Sequence, residues 1–162
     1  MKNIVYIIII LLLTSTVFAD EQLLIFAGSA SMPALEEINH NFEAEHRVKV
    51  KISFGGSGNV LSQIKLGKKG DIYIPGSSDF MEKAKEERLV LPETEEKIAY
   101  LIPSICVVPD NPKSINSLES LVEKDVRLGI ANPETVCVGL YAVEIIEKSG
   151  LTEKIRKNCY LC

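Results

Sequence analysis

Val48-Lys49-Val50-Lys51-Ile52-Ser53-Phe54 runs into Gly55-Gly56-Ser57-Gly58-Asn59 and on into Val60, Leu61 and Ile64. Apolar residues alternate with Lys49, Lys51 and Ser53, the period of a strand with one face buried. Small residues then make a loop, and the apolar spacing lengthens to that of a helix. Upstream, Leu23-Leu24-Ile25-Phe26 is a continuous apolar run, as a buried parallel strand reads. Ala27-Gly28-Ser29-Ala30-Ser31 follows it. Leu35, Ile38 and Phe42 then recur at helical spacing, with Glu36 and Glu37 near the helix start, where the macrodipole favours them. Downstream, Gly67 and Gly70 bracket a turn and residues 71–75 read as a third strand. Gly76-Ser77-Ser78 leads from it into a helix carrying Met81, Ala84 and Leu89. Three successive βα units predict an α/β fold, a parallel sheet covered by helices on both faces.

A second block begins near Ala99. Residues 98–102 and 105–108 read as strands punctuated by Pro103 and Pro109, and residues 110–116 as a turn-rich loop. Leu118 and Leu121 suggest a short helix, and residues 127–131 a strand. The loop Asn132-Pro133-Glu134-Thr135-Val136-Cys137-Val138-Gly139 then leads to a helix carrying Leu140, Val143 and Ile146, ended by Gly150. The organisation expected is two α/β lobes, 20–97 and 98–162.

Residues 1–19 are set apart from both. Lys2 supplies a positive start, residues 4–13 are apolar, and Val17-Phe18-Ala19 ends on a small residue, the layout of a secretory signal peptide. The apolar run is shorter than the roughly twenty residues of a membrane span. No cysteine stands at the cleavage position to take a lipid. An exported, extracytoplasmic chain is expected. Its formal charge of −4, with five Tyr, five Phe and no Trp, lacks the basic footprint of a nucleic-acid binder. Any attraction for an anion must be local.

Three loops, at residues 27–31, 55–59 and 132–139, share one design: strand, small residues, helix N-terminus. Ligands of open α/β sheets sit outside the carboxyl ends of the strands, where helix N-termini offer unpaired N–H groups and a positive dipole end. A serine hydroxyl adds a donor without charge. Ser29, Ser57 and the Val138–Gly139 backbone are therefore candidates for gripping an anion. Gly/Ser-rich βα loops are common and most bind nothing; the weight lies in three at equivalent places.

Ala27-Gly28-Ser29-Ala30-Ser31-Met32-Pro33, Phe54-Gly55-Gly56-Ser57-Gly58-Asn59, residues 70–79 and residues 132–142 together resemble, in order, the periplasmic molybdate- and tungstate-binding proteins of ABC importers. The resemblance runs from about Leu23 to Lys157. It implies a two-lobed clamshell with parallel or mixed sheets flanked by helices, closing on the anion and delivering it to a membrane permease and its ATPase. It implies a binding protein and not an enzyme, ordinarily a monomer. No cofactor is implied, the ligand being molybdate or tungstate. Carried over residue by residue, the first-loop serine falls at Ser29, beside Gly28, with Ser31 or the N–H of Ala30 as the alternative register. The second serine falls at Ser57; Ser29 and Ser57 would thus be ligands of molybdate and not of a free metal ion. The second-lobe backbone donor falls near Val138, with Cys137 and Gly139 as neighbours. Family members continue well past residue 162. The resemblance therefore implies an incomplete second lobe, the chain being a fragment or a disrupted reading frame.

The remaining residues read more plainly. Asp79 suits helix capping and dipole chemistry; His40 and His46 have no partner at metal-ligand spacing; Glu36 and Glu37, being adjacent, point apart; Tyr141 reads as packing. Gly55-Gly56-Ser57-Gly58 approaches a nucleophile elbow but lacks credible His and acid partners. Two rivals remain. Sulfate, thiosulfate or phosphate could use the same loops, and Cys159-x-x-Cys162 could make a thiol oxidoreductase, although such a motif normally opens a helix.

Overall fold

The computed structural model describes residues 22–123, 126–156 and 159–161. The expected signal peptide and Cys162 lie outside the described residues. Strands β1 (Gln22–Gly28), β2 (Lys49–Gly55) and β3 (Ile72–Ile74) form one sheet in the order β2-β1-β3. All pairings are parallel. Parallel neighbours need a crossover, and helices α1 (Met32–His46) and α2 (Ser57–Gly67) supply it. Helix α3 (Ser78–Glu86) follows β3. The run Ile25-Phe26-Ala27 is buried throughout, as expected of a central strand covered on both sides. Ile25 and Ala27 pack with Leu35 of α1. Phe26 points the other way, packing with Val60, Leu61 and Ile64 of α2, Tyr73 of β3 and Ala84 of α3.

Register matters more for function than the core does. Gly28 pairs with Gly55, and Ala27 with Ile74, so the carboxyl ends of the strands lie level. The turns are tighter than expected. Ala27 and Gly28 finish β1, residues 29–31 form a 3-10 turn, and Gly56 alone separates β2 from α2. Ile38, expected on the buried face of α1, is 60 % exposed; Leu35 is the buried residue of that helix.

Beyond α3 lie α4 (Ser120–Glu123), β4 (Leu128–Ile130), α5 (Cys137–Lys148), α6 (Thr152–Ile155) and β5 (Cys159–Leu161). β4 and β5 pair in parallel. Ile130, Ile146, Leu151 and Ile155 make a separate core with Leu118, Val122, Leu128 and Ala142. Gly150, at φ +70°, ends α5 in the left-handed conformation that glycine adopts without steric cost. The strands expected at 98–102 and 105–108 do not form. The second sheet pairs β4 with β5 alone, and residues 91–110 are exposed throughout. β-branched residues favour a strand only where a neighbour completes the ladder and covers a face. The described residues supply neither.

The core assignment is testable within α2. Leu61 is 3 % exposed and Leu66 87 %. Leu61→Ala should cost about 2–5 kcal/mol in urea unfolding, whereas Leu66→Ala should stay within about 0.5 kcal/mol. Equal losses would mean that α2 does not bury the face described.

Candidate functional site

Because the strand ends are level, the turns that follow them crowd together. Ser57, the first residue of α2, is 1 % exposed. Its Oγ accepts a hydrogen bond from Gly76 N–H at 3.0 Å, while its carbonyl accepts one from the Tyr73 hydroxyl at 2.9 Å. Gly28 completes the group: a Cβ there would stand 3.3 Å from Ser57 Oγ and 3.4 Å from Gly76 N. Three consecutive βα turns thus meet around one hydroxyl. That oxygen accepts from Gly76, which leaves its own proton available for a ligand.

The second half of the chain joins at the same place. A Cβ on Gly76 would overlap Cys137 Sγ. Cys137 is buried as the first residue of α5, after Val136 in extended conformation. The first N–H groups of a helix have no intrahelical acceptor. Of these, Gly139 N–H turns back to Val136 O at 3.0 Å, leaving those of Cys137 and Val138 at the open end. Gly139 is buried because α5 starts against the end of β4; a Cβ there would collide with the Ala131 carbonyl. Residues 137–139, expected as loop, are therefore helix, and Val138 is 50 % exposed.

The first turn holds the remaining candidates. Ser29 and Ala30 are exposed. Ser31 Oγ donates to Gly28 O at 2.7 Å, which commits its proton to the backbone. Of the two serines, Ser29 is the one that keeps its hydroxyl free of that bond.

Gly76 and Ser77 were not among the expected site residues. They repeat the signal that marked the others, small residues between a strand and a helix. Ser77 precedes α3, yet makes no capping bond; its Oγ is buried without a well-formed partner. Asp79 lies in the first turn of α3, where its charge suits the dipole, although no side-chain cap forms. Tyr141 is half-buried on α5 rather than wholly packed away. Burial raises its pKa, and the charges of Asp79, Cys137 and Glu144 add to the rise; the Ser77 hydroxyl acts against it.

No cluster of metal-ligating side chains occurs among the described residues, and no described helix is long and apolar enough to cross a membrane. Cys159 opens strand β5 rather than a helix, unlike the redox context described above. A cavity of about 120 Å³ lies elsewhere, between Gly58, Lys65, Lys83, Glu87 and Thr135. Lys65 Nζ stands 2.8 Å from Glu87 Oε2 there, so that charge is already matched.

Residues 23–161 match the family model described as bacterial extracellular solute-binding protein. A Haemophilus influenzae protein named only as a binding protein is 30 % identical over 96 % of this chain and 62 % of its own. The molybdate-binding protein ModA of Escherichia coli is 28 % identical over 82 % of this chain and 54 % of its own. The chain thus spans between about half and three-fifths of these relatives. The periplasmic molybdate-binding protein of Azotobacter vinelandii shares the fold, with a TM-score of 0.67 and 21 % identity over 86 % of this chain and 62 % of that one. These relatives are named as binding proteins and not as enzymes.

Tyr73 gives this region a pH signature. Burial pushes its hydroxyl well above the ordinary 10.0, and the neighbouring Cys137 adds to the rise. The folded state therefore holds this proton more tightly than the unfolded chain, and the stability involved is complete below pH 10 and lost as pH rises beyond it. Tyr73→Phe should cost about 1 kcal/mol at neutral pH through the lost bond to Ser57. It should also flatten the decline in urea stability above pH 10. Parallel profiles for the two proteins would remove Tyr73 from that role.

Proposed function

The chain belongs to the bacterial extracellular solute-binding protein family, and from that premise we propose that it captures a small tetrahedral oxyanion, molybdate or tungstate, at the meeting of its βα turns. The observation that carries the proposal is the Ser57 hydroxyl. It is buried, it accepts from Gly76 N–H, and its proton is left to donate. Ser29 stands one residue beyond Gly28, which lies beside Ser57 Oγ. The N–H groups of Cys137 and Val138 open α5 next to Gly76. Hydroxyls and helix N-termini of this kind surround a dianion with oriented dipoles and need no counter-charge. Each charge-assisted bond contributes roughly 1.5–3 kcal/mol, so a handful supports tight binding after desolvation.

Residues 20–97 and 98–162 act as two lobes in this reading. The ligand bridges Ser29 and Ser57 on one side and the start of α5 on the other, and favours the closed arrangement by binding it better. The loaded protein then passes the anion to the permease of an ABC importer. The ModA relatives are named for molybdate, which supports molybdate over sulfate or phosphate.

Thermal unfolding with equal concentrations of molybdate, tungstate, sulfate and phosphate tests the ligand, since a solute that binds only the folded state must raise the midpoint. Molybdate and tungstate should raise it and sulfate should not; a rise with sulfate or phosphate alone would move the substrate. By calorimetry, Ser57→Ala and Ser29→Ala should each weaken molybdate binding roughly tenfold, about 1.4 kcal/mol. Ser31→Ala should weaken it less, because its hydroxyl already serves Gly28. Unchanged affinity in both of the first two variants would refute the site.

A further inference from the structure

Gly56 and Gly58 flank Ser57, and both lie against the turn that precedes α5. Gly58 N–H donates to the Thr135 carbonyl at 3.0 Å. That carbonyl is held by a closed turn: Thr135 and Val136 N–H both donate to Asn132 O, at 3.2 and 2.9 Å. Asn132 Oδ1 accepts from Glu134 N–H at 2.9 Å. A Cβ on Gly56 would stand 2.6 Å from Thr135 O and 2.9 Å from Val136 Cγ2. One on Gly58 would stand 3.1 Å from Thr135 Cα and 2.9 Å from Phe80 Cε1.

Backbone conformation does not call for glycine at either place. Gly56 is ordinarily extended, at φ −60° and ψ 142°. Gly58 lies in α2, where alanine is the better helix former. The demand comes from the 132–136 turn, which touches bare backbone on both sides of Ser57.

We propose that Gly56, Gly58 and Thr135 form a backbone clasp that sets how closely the start of α5 approaches Ser57 and Gly76, and thereby tunes ligand affinity without touching the ligand. Thr135 is two residues from Cys137, and Ser57 lies between the two glycines. A displacement at the clasp therefore reaches both halves of the site. Only the affinity arm of the test rests on the oxyanion reading.

Amide exchange followed by NMR decides the matter in the ligand-free protein. Gly58 is the second residue of α2, so its N–H has no intrahelical acceptor. Its protection reports the Thr135 carbonyl alone. The Gly58 amide should exchange at least tenfold more slowly than an exposed amide, and Gly56→Ala should abolish that difference. Gly67→Ala, with nothing within 4 Å of the added Cβ, should leave it unchanged. An unprotected Gly58 amide in the unsubstituted chain, or one indifferent to Gly56→Ala, would overturn the clasp. If Gly56→Ala fails to fold, the unsubstituted chain and Gly58→Ala, read at its own residue 58 amide, decide instead. Molybdate affinity should fall about tenfold in Gly56→Ala and hold in Gly67→Ala; equal affinities would also overturn the proposal. Failure of every oxyanion to bind the unsubstituted chain would reject the oxyanion reading, and the exchange result would still judge the clasp.

Discussion

Three parallel strands that end level force their turns into one small volume, and the Ser57 hydroxyl occupies the point where they meet. The pairing of Gly28 with Gly55 and of Ala27 with Ile74 sets that level. Ser57 then joins the second turn to the third through Gly76 N–H, and to β3 through the Tyr73 hydroxyl. A larger side chain at Gly28 would press on Ser57 Oγ, and one at Gly76 on Cys137. The helices follow from it, because each starts where its turn allows. Their unpaired N–H groups face the strand ends by geometry alone.

The second half of the chain meets the first through similarly bare backbone. Cys137 reaches Gly76, Thr135 reaches Gly58, and Gly139 lets α5 begin directly on the end of β4. Small residues at these positions serve approach more than flexibility. Each core behind them is apolar and local to its own sheet, so contact between the halves is made mainly by backbone and short side chains.

Much of this was legible in the residues. The alternation across 48–54 and the apolar run at 23–26 gave the strands, and the Gly/Ser stretches gave the turns. Gly28, Ser57 and Cys137 do lie together, with Ser29 and Ala30 beside them. Which of Ser29 and Ser31 keeps its hydroxyl free of the backbone was not legible, because it depends on whether the Ser31 proton reaches Gly28 O. Gly76 and Ser77 carry the same small-residue signal as the other turns, but only register shows that Gly76 N–H meets Ser57 Oγ. The strands read at 98–102 and 105–108 failed for a different reason. Their composition favours β structure, but composition cannot supply the neighbouring strand on which a ladder depends.

That stretch also governs how the chain behaves in company. Ile98, Tyr100, Ile102 and Val108 are all well exposed on backbone that pairs with no strand of either sheet. Pro103 and Pro109 interrupt it, as prolines do at natural sheet edges, and limit how far an added strand could extend. Unpaired backbone carrying exposed apolar side chains is where a strand of another chain can add. Order at the turns around Ser57 thus coexists with an uncovered β-prone ribbon in the same chain.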